Sequence, residues 1–140
     1  MNKVPDGFYI TTPIYYANGT PHLGHAFTTL LADTLGRYHR LFQGPVKYTT
    51  GTDEHGQKVQ EVAASNGVTP LQQADRISAV FRDSWKELGI CYDDFIRTTE
   101  QRHKDVVRQL VTKLMDSGDI YKGIYRGWYM VEDEDFYPYT

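Results

Sequence analysis

The order of elements in the sequence predicts an α/β fold on a parallel sheet, and three observations carry that expectation. Residues 8–12 are aromatic and β-branched and stop at Pro13, which reads as a strand. From Leu23 the apolar residues Ala26, Phe27, Leu30, Leu31, Leu35, Tyr38, Leu41 and Phe42 recur at helical spacing over about five turns. Residues 46–50 then alternate loosely between Pro45 and Gly51, which makes a second strand. Strand, long helix, strand is a βαβ unit, which crosses over right-handed into a parallel sheet. Ligands of such sheets bind at the carboxyl ends of the strands. The turn after strand one and Asp53 after strand two therefore fall at one edge.

The remaining elements follow from punctuation and periodicity. Gln43-Gly44-Pro45 stops the long helix, whose apolar residues are assigned to core packing, with Asp33 and Arg37 as a local pair. Residues 57–64 make a short helix that fades at Ser65-Asn66-Gly67. Thr69-Pro70-Leu71-Gln72 is a capping box with proline in the first turn. The helix it opens buries Ala74, Ile77, Phe81, Trp85 and Leu88 and closes at Gly89. Residues 94–98 are a third strand, whose Arg97 is open to either a phosphate or an ion pair. Thr98 with Gln101 caps a further helix with the stripe Val106, Val107, Leu110, Val111 and Leu114, ended by Ser117-Gly118-Asp119. Residues 120–130 carry aromatics with glycines between, which suits a small antiparallel element, and the acidic run 132–135 reads as a solvated loop.

Composition narrows the function classes. The chain has 140 residues, 40% hydrophobic and 24% charged, an ordinary globular balance able to bury one core. A formal net charge of -3 and a pI near 5.9 argue against a general nucleic-acid-binding surface. One cysteine excludes an internal disulfide, and no complete zinc ligand set can be read. No apolar run approaches membrane-spanning length, and Met1-Asn2-Lys3-Val4-Pro5-Asp6 lacks the apolar core of a secretory signal. The cytoplasm is the expected location.

The most informative stretch is the turn Tyr16-Ala17-Asn18-Gly19-Thr20-Pro21-His22-Leu23-Gly24-His25. Asn18 and Gly19 are turn formers, and Pro21 stands where the helix begins, so free N–H groups and the positive end of the helix dipole face the turn. His22 and His25 share one helical face and can aim at one phosphate group. Gly24 between them lets a flat base or sugar lie against the backbone. From spacing alone the pair is a phosphate site, half of a metal site or incidental. Asp53, beside Glu54 and His55, is open among helix cap, metal ligand and acid/base group.

His22-Leu23-Gly24-His25 resembles the HIGH signature of the class I aminoacyl-tRNA synthetases, and residues 10–19 before it look like the methionyl branch. Gly51-Thr52-Asp53-Glu54-His55-Gly56-Gln57-Lys58 and Asp94-Phe95-Ile96-Arg97-Thr98-Thr99 are similar to segments of that branch, in the right order. The resemblance implies the first half of a Rossmann-type catalytic sheet with flanking helices over residues 1–118, and the start of an inserted connective domain over 119–140. It implies ATP-dependent activation of L-methionine to methionyl-adenylate and transfer to tRNA(Met), with ATP arriving as its Mg2+ complex. It assigns His22 and His25 to the transferring phosphates, with Asn18 and Gly24 in the ATP site. Asp53 is matched to the methionine ammonium, and Ile14 and Tyr16 to the methionine side-chain pocket. Asn18 keeps an alternative as a turn residue only.

A second, KMSKS-type lysine loop, the later strands, a cysteine zinc knuckle and a helical anticodon-binding domain are not found in this sequence. The chain is accordingly expected to be a fragment with half an active site, inactive or weakly active alone and partnered by the downstream half. The missing strands leave an uncovered apolar face. Two other readings stand beside this one. H-x-G-H also occurs in small nucleotidyltransferases, which leaves residues 51–58 unexplained, and the chain could be an assembly piece that acts only by joining a second polypeptide.

Overall fold

A computed structural model describes residues 7–138. Met1-Asn2-Lys3-Val4-Pro5-Asp6, which lacks a signal core by sequence, lies outside the described residues. Two compact units meet in sequence between Asp105 and Val106. The first is built on a parallel sheet of β1 (Phe8–Thr11), β2 (Tyr15–Tyr16), β3 (Val46–Asp53) and β4 (Asp94–Arg97). β1 and β2 run along one edge of β3, pairing Phe8 with Val46 and Tyr16 with Asp53. β4 takes the other edge, pairing Thr49 with Asp94 and Thr52 with Arg97. This is the α/β parallel sheet expected from the βαβ order.

β3 is longer than its sequence suggested. The sequence bounds it at Gly51 with Asp53 after its end, but the strand continues to Asp53, which is its last residue. The glycine permits close approach: a Cβ there would lie 2.0 Å from the Ile96 carbonyl oxygen.

Helix α1 (Leu23–Phe42) begins and ends where the sequence placed it, stopping at Gln43 and Gly44, whose N–H groups both donate to the His39 carbonyl at 2.8 and 3.0 Å. The assignment of its large apolar residues to the core does not hold. Thr29, Ala32, Asp33 and Gly36 are the residues α1 buries, whereas Phe27, Leu31, Tyr38, Leu41 and Phe42 are exposed, Leu41 by 76%. Small residues let α1 sit close to the sheet, with the Gly36 Cβ position 3.8 Å from Val46 Cγ1. The bulky ridge points elsewhere, and nothing among the described residues covers it. Asp33 and Arg37 form the expected pair at 2.6 Å, and the other Asp33 oxygen accepts from Cys91 N–H at 2.8 Å.

α2 (Gln57–Ser65) and α3 (Pro70–Glu87) follow. The α3 capping box forms as expected: Thr69 N–H donates to Gln72 Oε1 at 2.9 Å and Gln72 N–H to Thr69 Oγ1 at 3.2 Å. Ala74, Ile77, Phe81 and Trp85 are buried and join Tyr15, Tyr48, Ile90 and Phe95 in the core. Leu88 is not buried with them, because it is the C-cap from which the chain turns away through Gly89 at φ 67°.

α4 (Gln101–Asp116) opens differently from the expected Thr98–Gln101 box. Thr98 Oγ1 is occupied by Glu54 N–H at 3.0 Å, and the Gln101 amide donates to Asp105 at 2.7 Å. Of its stripe, Val106, Val107, Leu110 and Val111 are exposed and Leu114 is half-buried. Beyond α4, the second unit contains the hairpin β5 (Gly127–Met130) and β6 (Asp135–Pro138), antiparallel with Trp128 opposite Tyr137. The expected antiparallel element is thus present, but it starts at Gly127 instead of residue 120, and Asp135 of the acidic run belongs to a strand. Among the described residues no helix is long and apolar enough to cross a membrane.

Candidate functional site

Register brings the turn and Asp53 together. Tyr16 pairs with Asp53, and the next N–H, that of Ala17, donates to the Asp53 carbonyl at 2.9 Å. Register partners in parallel strands share a sheet face, so Tyr16 and Asp53 lie on one side while Tyr15 and Thr52, both buried, lie on the other. Ile14 and Tyr16 are 39% and 48% exposed, and Asn18 and Asp53 are half-buried. Ile14 directly precedes the two-residue β2, Tyr16 and Asp53 are the last residues of β2 and β3, and Asn18 lies in the turn that leads to α1.

The α1 N-terminus is capped by imidazoles. His22, extended at φ −125° and ψ 175°, is the N-cap, and its Nδ1 accepts from Gly24 N–H at 3.0 Å. In return His25 Nδ1 accepts from His22 N–H at 3.2 Å, closing a capping box. The two rings stack with centroids 3.7 Å apart. Because both Nδ1 atoms accept, the neutral rings carry their protons on Nε2, which leaves two N–H donors for a ligand. Burial, and then the charge of His22, lower the His25 pKa from its ordinary value, which favours that neutral form. The first turn of α1 contains no acidic residue, so the positive end of its dipole is not offset there. The pattern suits a polyphosphate, which needs hydrogen-bond donors and no protein carboxylate.

Gly24 has a further use that sequence reasoning did not identify. A Cβ there would lie 2.9 Å from His22 Cε1 and 3.1 Å from Nδ1, so the absent side chain makes room for the His22 ring.

Beneath the pair, the Tyr15 ring lies 4.7 Å from that of His25, and Phe81 of α3 lies 5.4 Å from both rings. The Tyr15 hydroxyl meets Thr29 Oγ1 at 2.7 Å, Thr29 donates to the His25 carbonyl at 2.8 Å, and Tyr48 donates to the Thr29 carbonyl at 3.1 Å. This buried hydroxyl chain fixes the first turns of α1 on the sheet.

The sequence alone leaves the roles of Glu54 and Arg97 open. Glu54 is buried, and its Oε1 accepts from Thr52 Oγ1 and Arg97 Nε, each at 2.7 Å, while Oε2 accepts from Thr99 Oγ1. Arg97 thus takes the ion-pair alternative, sharing its other end with Asp75 at 2.6 Å. Strand parity would have been the signal: Tyr48, Thr50 and Thr52 are buried, which sends Glu54 inward and Asp53 outward. Among the described residues no group of three or more His, Cys, Asp or Glu side chains could hold a metal ion.

A family model described as "tRNA synthetases class I (M)" matches residues 8–140. Methionine–tRNA ligases of Halalkalibacterium halodurans and Bacillus subtilis are each 53% identical over 140 residues, which is 100% of this chain and 21% of theirs. The chain therefore spans about a fifth of the length of the curated relatives it matches. Mycobacterium tuberculosis methionyl-tRNA synthetase, solved in complex with methionyl-adenylate, superposes with a TM-score of 0.90 at 42% identity, over 95% of this chain and 26% of that one.

Proposed function

Because the chain belongs to the class I tRNA synthetases of the M family, we propose that it carries the amino-terminal half-site of a methionine–tRNA ligase. The observation that carries this reading is the imidazole capping box, with two Nε2–H donors at a dipole-positive helix end next to the Asp53 carboxylate. Residues 1–118 are the first half of the Rossmann-type catalytic domain, and 119–140 begin the connective insertion. The chain acts in the cytoplasm with L-methionine, ATP and tRNA(Met), and the downstream half of the same enzyme completes it. The exposed ridge of α1 supports that completion, since it offers an apolar face for further structure.

In the reaction, a methionine carboxylate oxygen attacks the α-phosphorus of ATP, the bond to the bridging oxygen breaks, and pyrophosphate leaves with the electron pair. The adenylate carbonyl is then attacked by a hydroxyl of the terminal adenosine of tRNA(Met), releasing AMP. No covalent enzyme intermediate is needed, so the protein positions reactants and stabilises charge. His22 and His25 donate Nε2–H bonds to the phosphates as charge moves toward pyrophosphate, and Asn18 adds a donor from the turn. Gly24 keeps the backbone open to the nucleotide while seating the His22 ring. Asp53 accepts from the methionine ammonium, a charge-assisted bond, and Ile14 and Tyr16 flank the side chain. Mg2+ enters with ATP, coordinated mainly by the phosphates.

The test is methionine-dependent ATP–pyrophosphate exchange, run on this chain alone and on the complete polypeptide. Exchange restricted to the complete polypeptide, or far stronger there, supports a half-site. Exchange with no amino acid preference, or none in a folded complete polypeptide, refutes the reading.

A further inference from the structure

The Asp53–Glu54 peptide group is pinned at both ends to opposite edges of β3. Its carbonyl accepts from Ala17 N–H at 2.9 Å, on the β2 side, and its N–H donates to Thr98 Oγ1 at 3.0 Å, beyond β4. The preceding carbonyl, that of Thr52, accepts from Thr98 N–H at 3.4 Å. Rotation of this peptide would swing the Asp53 side chain, so the pinning sets its aim. The residues flanking Asp53 are joined to each other by Thr52 Oγ1 donating to Glu54 Oε1. Glu54 in turn is anchored by Arg97 Nε and Thr99 Oγ1 at the end of β4.

A carboxylate with 0% side-chain exposure is costly to bury, and its partner Arg97 is only 19% exposed. Apolar residues of similar volume often stabilise a fold as well as such a pair does, so bulk stability is a weak reason for its presence. Geometry is the stronger one, because four directional bonds converge on one residue adjacent to Asp53. The bond to Glu54 raises the Arg97 pKa above its ordinary value, aided by the bond to Asp75. Arg97 also offsets the Glu54 charge, leaving the Asp53 carboxylate to attract a cation. Through Asp75 the same guanidinium reaches α3, whose Phe81 packs on Tyr15 and His25.

We infer that Glu54, held by Arg97 and Thr99, is a positioning residue that aims the Asp53 carboxylate at the ammonium group of the amino acid substrate. Glu54 itself touches no substrate. The inference rests on the reading in which Asp53 binds that ammonium.

The test uses the complete polypeptide with Glu54→Gln and, as a milder variant, Thr99→Val, in ATP–pyrophosphate exchange. Glu54→Gln is expected to raise the methionine KM about tenfold with the ATP KM within about twofold, and Thr99→Val to shift methionine alone by about threefold. Inhibition by 4-(methylsulfanyl)butanoate, methionine without its ammonium, should stay within about twofold in both variants. A common rise in both KM values, or equal loss of methionine and the des-amino analogue, overturns the inference and makes Glu54 a general fold stabiliser. If Glu54→Gln does not fold, Thr99→Val decides, and an unchanged methionine KM overturns it. Wild-type exchange with unshifted variants sinks the positioning role alone. Absence of methionine-dependent exchange in the wild type sinks the proposed function and this inference with it.

Discussion

Replacing Gly24 by alanine separates what the α1 N-terminus does for stability from what it does for a ligand. The new Cβ would sit 2.9 Å from His22 Cε1 and 3.1 Å from Nδ1, closer than carbon atoms tolerate, so the ring must swing away. That movement breaks the 3.0 Å bond from Gly24 N–H and the 3.7 Å stack on His25. Loss of an N-cap costs about 1 kcal/mol. Alanine in place of glycine inside a helix returns roughly 0.5–1 kcal/mol. The two nearly cancel, and the melting temperature should move by only a few degrees, on the order of the shift that 1 kcal/mol produces. The proposed phosphate site has no such compensation. Misaiming one preorganised donor costs about 3 kcal/mol of barrier, on the order of a hundredfold in rate. The assay is methionine-dependent ATP–pyrophosphate exchange of Gly24→Ala in the complete polypeptide, alongside thermal unfolding. A rate within about twofold of wild type would refute the role of the His22 ring, given that an intact donor of this kind is worth far more. A rate loss matched by a large fall in melting temperature would make the box purely structural.

Three further outcomes are expected. Asp53→Ala should raise the methionine KM by about a hundredfold while sparing that of ATP, because in the proposed reading it removes a charge-assisted bond to one substrate only; equal damage to both would make Asp53 structural. His25 should titrate below its ordinary value when its Cε1 proton is followed by NMR, since burial disfavours the charged ring. The folded state prefers neutral His25, so this stabilisation is complete above the ordinary imidazole value and is lost as pH falls through the depressed one; a midpoint at or above the ordinary value contradicts the burial argument. Tyr48→Phe removes a buried hydroxyl that donates to the Thr29 carbonyl at 3.1 Å and should lower unfolding free energy by about 1 kcal/mol in denaturant titrations, an effect absent if the hydroxyl chain does not fix α1.

Features set by local chemistry were legible in the sequence. The α3 start follows from Thr69, Pro70 and Gln72, which satisfy one another within a single turn, and the α1 end from Gly44 and Pro45. Features set by distant neighbours were not. Gly51 ends a strand by propensity, yet here it lets Ile96 approach, and only the partner strand reveals that. Helical periodicity identified the α1 and α4 ridges but could not say what covers them, because spacing defines a face and not its partner. His22, His25 and Asp53 were legible as candidates, since turn, helix start and strand order put them at one edge. The bond pattern that fixes the two rings was not, because histidine is an uncommon capping residue and the sequence does not tell which nitrogen faces the backbone.

That last point explains why imidazole suits this turn. A serine and glutamate box would satisfy the same two backbone N–H groups, but each side chain would be spent on the helix, and a carboxylate would repel phosphate. Imidazole has two nitrogens on opposite sides of one rigid ring. At His22 and His25 the Nδ1 atoms serve the backbone, and the same bonds fix the Nε2–H groups as donors pointing away from it. Helix capping thereby sets both the tautomer and the aim of the groups offered to a ligand. A lysine could offer more charge but no acceptor for the backbone, and its flexible stem would have to be ordered at the moment of reaction. The spacing of the two histidines follows from the same requirement, since a capping box joins the N-cap to the third helical residue, and the intervening glycine leaves the first ring its place.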